Sequence, residues 1–173
     1  LESVGKGLEA LQCFAVAVHL DPQSFESLHL LGAGLFENKE YTAAIDAFQR
    51  ALKISPGSIP TLGNLGIALV KVGKLREATE ILEFVLEHHP SWTRAWVQLG
   101  LAWRELGEIS RSLSALQKAL IHTPESIDAL TQFAASLLRA GRSSEAADAL
   151  AKAHALKPED ASIHSDFLFA SNY

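Results

Sequence analysis

A chain of 173 residues with 48% apolar and 20% charged side chains has the composition of an ordinary folded soluble protein and excludes an intrinsically disordered one. A formal net charge of −5 excludes the basic footprint that a nucleic-acid binder carries. A single cysteine, Cys13, excludes an internal disulfide framework and cysteine-based structural zinc and fits a reducing, cytoplasmic setting, while no apolar stretch reaches the roughly 18 residues of a membrane span.

Five of the six prolines, Pro22, Pro56, Pro90, Pro124 and Pro158, follow one another at a step of 34 residues, with Pro60 outside the series. A fixed step of this kind predicts stacked repeats that share one core. The chain opens inside a repeat. Its apolar run from Ala10 to Leu20 has the look of a signal-peptide centre, yet its residues fall into the repeat columns of a packed helix.

The unit is clearest from Phe25 to Ser58, and Phe25 serves as position 1. Position 8 then reads Gly32, Gly66, Gly100 and Ala134; position 20 reads Ala10, Ala44, Ala78, Ser112 and Ala146; position 27 reads Ala17, Ala51, Val85, Ala119 and Ala153. Small residues there let helix axes approach closely. Large residues fill the spaces between, with Leu28, Leu62, Trp96 and Leu130 at position 4 and Phe14, Phe48, Leu82, Leu116 and Leu150 at position 24.

Spacings of three and four place positions 4, 7, 8 and 11 on one helix, A, and positions 20, 24, 27 and 28 on a second, B. Gly73, Gly107 and Gly141 mark the turn between them, with Lys39 where a glycine is expected, because glycine accepts the left-handed backbone that ends helix A. The recurring proline closes helix B. The predicted division is helix B of a truncated repeat over 1–22, complete repeats over 23–58, 59–92, 93–126 and 127–158, and helix A of a further repeat or a capping helix over 159–173, together one solenoid over 1–173.

In the unit from Thr93, the series Trp96, Leu99, Gly100, Trp103, Ala119 and Pro124 resembles the tetratricopeptide repeat, and the resemblance extends over the whole chain. Departures are Ser112 for alanine, Ala134 for glycine, and Trp103 and leucines in the tyrosine column. The resemblance implies an all-α, right-handed superhelical solenoid of antiparallel helix pairs, with an inner wall lined by A helices and a polypeptide held along it.

The inner positions implied by that family are 2, 5, 6, 9, 12 and 13. They make Asn64, Ile67, Val70, Arg94, Val97, Gln98, Leu101, Gln132 and Ala135 the candidate ligand-binding residues. Primary amides donate to and accept from a peptide backbone whatever its sequence, and the apolar members would hold apolar side chains. The lysine, arginine and asparagine clamp with which chaperone-binding members of the family hold a terminal carboxylate is missing, since positions 5 and 9 carry His29, Ala33, Gly63, Ile67, Val97 and Leu101.

No catalytic residue, metal ligand or cofactor is expected. His88 and His89 point about 100° apart on a helix, and His122 lies a repeat away. Neither HExxH nor a Cys/His spacing occurs. Glu77, Glu80, Glu83 and Glu87 form a solvated stripe. Trp96 and Trp103 fall in packing columns and read as core, as does Cys13, whose column continues with Ala47, Ile81, Ala115 and Ala149.

The expected partner is a protein or peptide, with neither nucleic acid nor membrane. Self-association is a further expectation, because the first helix lacks its A partner and would leave Leu8, Leu11, Phe14 and Val18 partly uncovered. Lastly, SIHSDFLFASNY, residues 162–173, resembles the junction at which tetratricopeptide repeats meet the catalytic part of O-linked N-acetylglucosamine transferases and their bacterial relatives, and Asn64-Leu65-Gly66 is similar to their inner asparagine ladder. That likeness implies an acceptor-recognising arm. A purely architectural, self-assembling solenoid is the other alternative.

Overall fold

The computed structural model describes residues 2–171, with side chains from residue 10 onward. Within them lie ten helices and no strand: α1 Glu2–Leu20, α2 Phe25–Glu37, α3 Tyr41–Ile54, α4 Ile59–Lys71, α5 Leu75–His88, α6 Thr93–Glu105, α7 Ile109–His122, α8 Ile127–Arg139, α9 Ser143–Leu156 and α10 Ala161–Ser171. Helices α2, α4, α6, α8 and α10 each begin 34 residues after the one before, and each B helix ends two residues ahead of its proline. The architecture is all-α and of the helical-repeat solenoid class.

The chain forms two compact units, 1–88 and 89–173. In the first, α2 pairs with α3 and α4 with α5. Ser24 caps α2 by accepting from the Ser27 N–H, and Pro60 stands in the first turn of α4, where its missing N–H costs nothing. A Cβ built at Gly32 would stand 2.6 Å from the Phe48 ring, and one at Gly66 would stand 2.8 Å from Leu82 Cγ. The position 8 to position 24 contact therefore sets how closely A and B approach. The left-handed turn after helix A appears at Gly73, φ 78°, and also at Lys39, φ 63°, so the lysine takes the conformation its column demands despite its Cβ.

The second unit repeats the design. A Cβ at Gly100 would lie 2.5 Å from Leu116 Cγ, Gly107 and Gly141 carry φ of 84° and 73°, and Ser126 caps α8 by accepting from the Ala129 N–H. Ala134 at position 8 packs with Leu137, Ala146, Ala149 and Leu150. Ser112, the exception in the small column of position 20, is buried and hydrogen-bonded at 2.8 Å to buried Ser136 on α8, so its hydroxyl is satisfied.

Helix α1 departs from the sequence expectation. Of the residues expected to be partly uncovered, Val18 is instead buried with Leu28 and Ala51, whereas Leu11 and Phe14 lie against the Gly34 position of α2 and stay partly exposed. Leu8 lies outside the described side chains. The uncovered face carries Cys13, Val16 and Leu20, which with Gln12 and Ala17 line an open groove. Cys13 is therefore exposed, not buried as its column predicts: Ala47, Ala115 and Ala149 are buried and Ile81 partly buried in repeats that have their own A helix, and among the described residues no A helix precedes α1.

Candidate functional site

The nine candidate residues fall on three A helices. On α4, Asn64 is partly buried, whereas Ile67 and Val70 are buried, with Ile67 only 1% exposed. On α6, Arg94 is exposed and Leu101 partly buried, whereas Gln98 and Val97 are buried. On α8, Gln132 and Ala135 are partly buried.

Ile67 and Val97, expected on the exposed inner wall, are thus buried in the core. Val97 packs with Leu116, Ala119 and Ala129, which close over position 5. The apolar run Leu65–Val70 leaves α4 with no solvent-directed face over those two turns, so position 9 is buried there. Val70 is 8% exposed and presents little surface.

Within the second unit, α6 and α8 run beside each other, and the structure brings together a polar group that the column reading found only in part. Gln98 and Gln132 occupy position 6 of neighbouring A helices, and the Oε1 of each is buried without a hydrogen-bond partner. Buried acceptors in native proteins are nearly always paired, and an unpaired one costs about 1–3 kcal/mol. A donor arriving from outside would remove that cost.

Beside them the sequence reading missed Arg104, at position 12. This residue is 8% exposed; it spans to α8 by donating from Nη1 to the Gln132 carbonyl at 3.3 Å, and it donates from Nε to its neighbour Glu105 Oε1 at 3.4 Å, both long for charge-assisted bonds. Glu105 also lies 3.8 Å from Arg139, so one half-exposed carboxylate serves two cations. The signal was available: positions 12 and 13 belong to the implied inner set, and Arg104, Glu105 and Arg139 occupy them.

The remaining candidates have ordinary surroundings. His29 on α2 hydrogen-bonds Thr61 on α4 at 2.9 Å and lies between the Phe25 and Phe48 rings, and burial holds its pKa below the usual 6.5. Trp96 and Trp103 are partly buried, not full core: Trp96 Nε1 donates to the Pro90 carbonyl at 2.7 Å with Lys118 4.6 Å above its ring, and Arg111 lies 3.9 Å above Trp103. His88, His89 and His122 are exposed, and among the described residues no three side chains form a metal-holding group. Nor is any helix there long and apolar enough to cross a membrane. The junction-like segment forms α10 up to Ser171, and Asn172 and Tyr173 lie outside the described residues.

Comparison with known proteins agrees with the periodicity. Two family models, each described as tetratricopeptide repeat, match residues 2–59 and 35–102 and together span more than half of the chain. Among curated proteins no sequence matches. Of solved structures, MamA from Desulfovibrio magneticus RS-1 is similar at 25% identity over 92% of this chain and 90% of its own, with a TM-score of 0.81. TTC0263 from Thermus thermophilus, described as a thermophilic TPR protein, shares 22% identity over all of this chain and 94% of its own, at 0.78. YrrB, described as a TPR protein with an unusual peptide-binding site, shares 24% over all of this chain and 87% of its own, at 0.77. Repeat columns, paired helices and family models converge, and the chain belongs to the tetratricopeptide repeat family.

Proposed function

We propose that this chain is a non-catalytic protein-interaction scaffold that holds an extended polypeptide along α6 and α8. The observation that carries the reading is the pair of buried, unpartnered amide oxygens at Gln98 and Gln132. Rotation of either side chain turns its oxygen toward a peptide N–H, and the half-buried Leu101 and Ala135, each three residues further along the same helix, offer apolar contact. An extended segment supplies such donors; a helix, whose N–H groups are already used internally, does not.

The family membership supports the same reading, as does the peptide-binding site described for YrrB. The transferase-arm alternative would use this face for an acceptor polypeptide and is a narrower form of the same proposal. Ile67, Val70 and Val97 are buried, and in this reading they support the wall as packing.

The test is selection of peptides from a random display library on the immobilised chain, repeated with the Gln98→Leu/Gln132→Leu double variant. The parent should capture peptides and the variant should lose them while retaining the helical circular-dichroism spectrum. Capture undiminished in the folded double variant would put the ligand on another surface, and a parent that captures nothing would end the reading.

A further inference from the structure

Arg104 is the buried cation among the described residues, and its contacts are long for its burial. A guanidinium presents five donors in a rigid plane, and one that is nine-tenths buried is costly unless closely paired. Here the contacts to the Gln132 carbonyl and Glu105 are 3.3 and 3.4 Å, and Glu105 is shared with Arg139 at 3.8 Å. Two cations on one carboxylate leave a positive charge in excess beside the amide pair.

We propose that the Arg104 end of the α6–α8 face selects peptides carrying an aspartate or glutamate side chain, seated against the Arg104 guanidinium while the peptide backbone donates to Gln98 and Gln132. This rests on the functional reading above and adds the chemistry of the partner. Charge complementarity singles out an acidic residue, because a second carboxylate would bring the local balance to two cations and two anions. A planar guanidinium also matches a carboxylate bidentately, which neither the carbonyl nor the shared Glu105 provides. A basic or neutral residue in that position would leave the excess charge unanswered.

The experiment is a positional-scanning library of short peptides, N-acetylated and C-amidated so that the only carboxylates are side chains, titrated against the parent, Arg104→Gln and Arg104→Lys. In the parent, fixing Asp or Glu at one position should tighten binding by about tenfold over Asn or Gln there. Arg104→Gln should lose that preference while still binding the neutral peptides, and Arg104→Lys should keep part of it. An acid preference absent from the parent, or intact in Arg104→Gln, overturns the inference while leaving unselective peptide binding in place. A parent that binds no peptide overturns the inference together with the reading under it. Should Arg104→Gln unfold, a salt series on the parent decides: an acid preference that shrinks with added salt supports the pairing, and one indifferent to salt contradicts it.

Discussion

The two units share their packing and differ in where buried side-chain atoms are left without a partner. In the first, the polar groups close on one another: Thr61 Oγ1 lies 2.9 Å from His29 Nδ1 and 2.8 Å from Ser58 Oγ, and Asn38 donates to the Gly34 carbonyl. In the second, Gln98 and Gln132 leave buried oxygens unpaired and Arg104 is held only by long contacts. All the buried, unpartnered side-chain atoms among the described residues, the third being His154 Nδ1, lie in the second unit. A satisfied network is structural, whereas a recurring unsatisfied one at a single repeat position is what the proposed binding face rests on.

That contrast can be broken where the units are alike. Leucine at Gly66 or at Gly100 must displace Leu82 or Leu116, which would lie 2.8 and 2.5 Å from the new Cβ alone. Each substitution should cost at least about 1–3 kcal/mol by overpacking, roughly 2–4 °C of melting temperature per kcal/mol at this chain length. A variant of either kind that melts like the parent would mean that the position 8 to position 24 contact does not set the helix spacing.

Smaller effects sharpen the difference. Thr61→Val keeps the shape of a fully buried side chain but strips His29 and Ser58 of their shared partner, so a loss of about 1–3 kcal/mol in thermal or urea unfolding is expected. No loss would mean that the network in the first unit contributes nothing. Gln98→Leu is the matching polar-to-apolar change in the second unit, and it should leave stability within about 1 kcal/mol of the parent or raise it, since it removes an unpaired acceptor.

The smallest effect concerns pH. Burial lowers the pKa of His29 below 6.5, so the unfolded chain takes up a proton first. The contribution of His29 is whole above that value and is lost as pH falls from it through the lower folded pKa. Melting of the parent should therefore drop more than that of His29→Gln between about pH 7 and about pH 5. Parallel curves would contradict the burial of the neutral ring.

Much of the fold was legible because side-chain size recurs at a fixed step. The columns predicted close helix approach at the position 8 glycines, which the structure sets against Phe48, Leu82 and Leu116, and they marked Lys39 as the residue standing where glycine is expected, which the structure finds in the left-handed region. The site was less legible. A position number gives the direction of a side chain from its helix but not what closes over it, so Ile67 and Val97 read as wall and are core. Cys13 misled for the converse reason, since its column is buried only in repeats that have their own A helix. Arg104 sits in a column whose member on α4 is Val70, and a cation that appears once leaves no periodic trace.

The central proposal is that Gln98 and Gln132 are kept for a ligand at the expense of stability. Melting temperature and peptide capture measured side by side on the Gln98→Leu/Gln132→Leu variant test it most directly. The account predicts unchanged or higher melting with capture lost; a variant that melts lower than the parent and still captures peptide would contradict it.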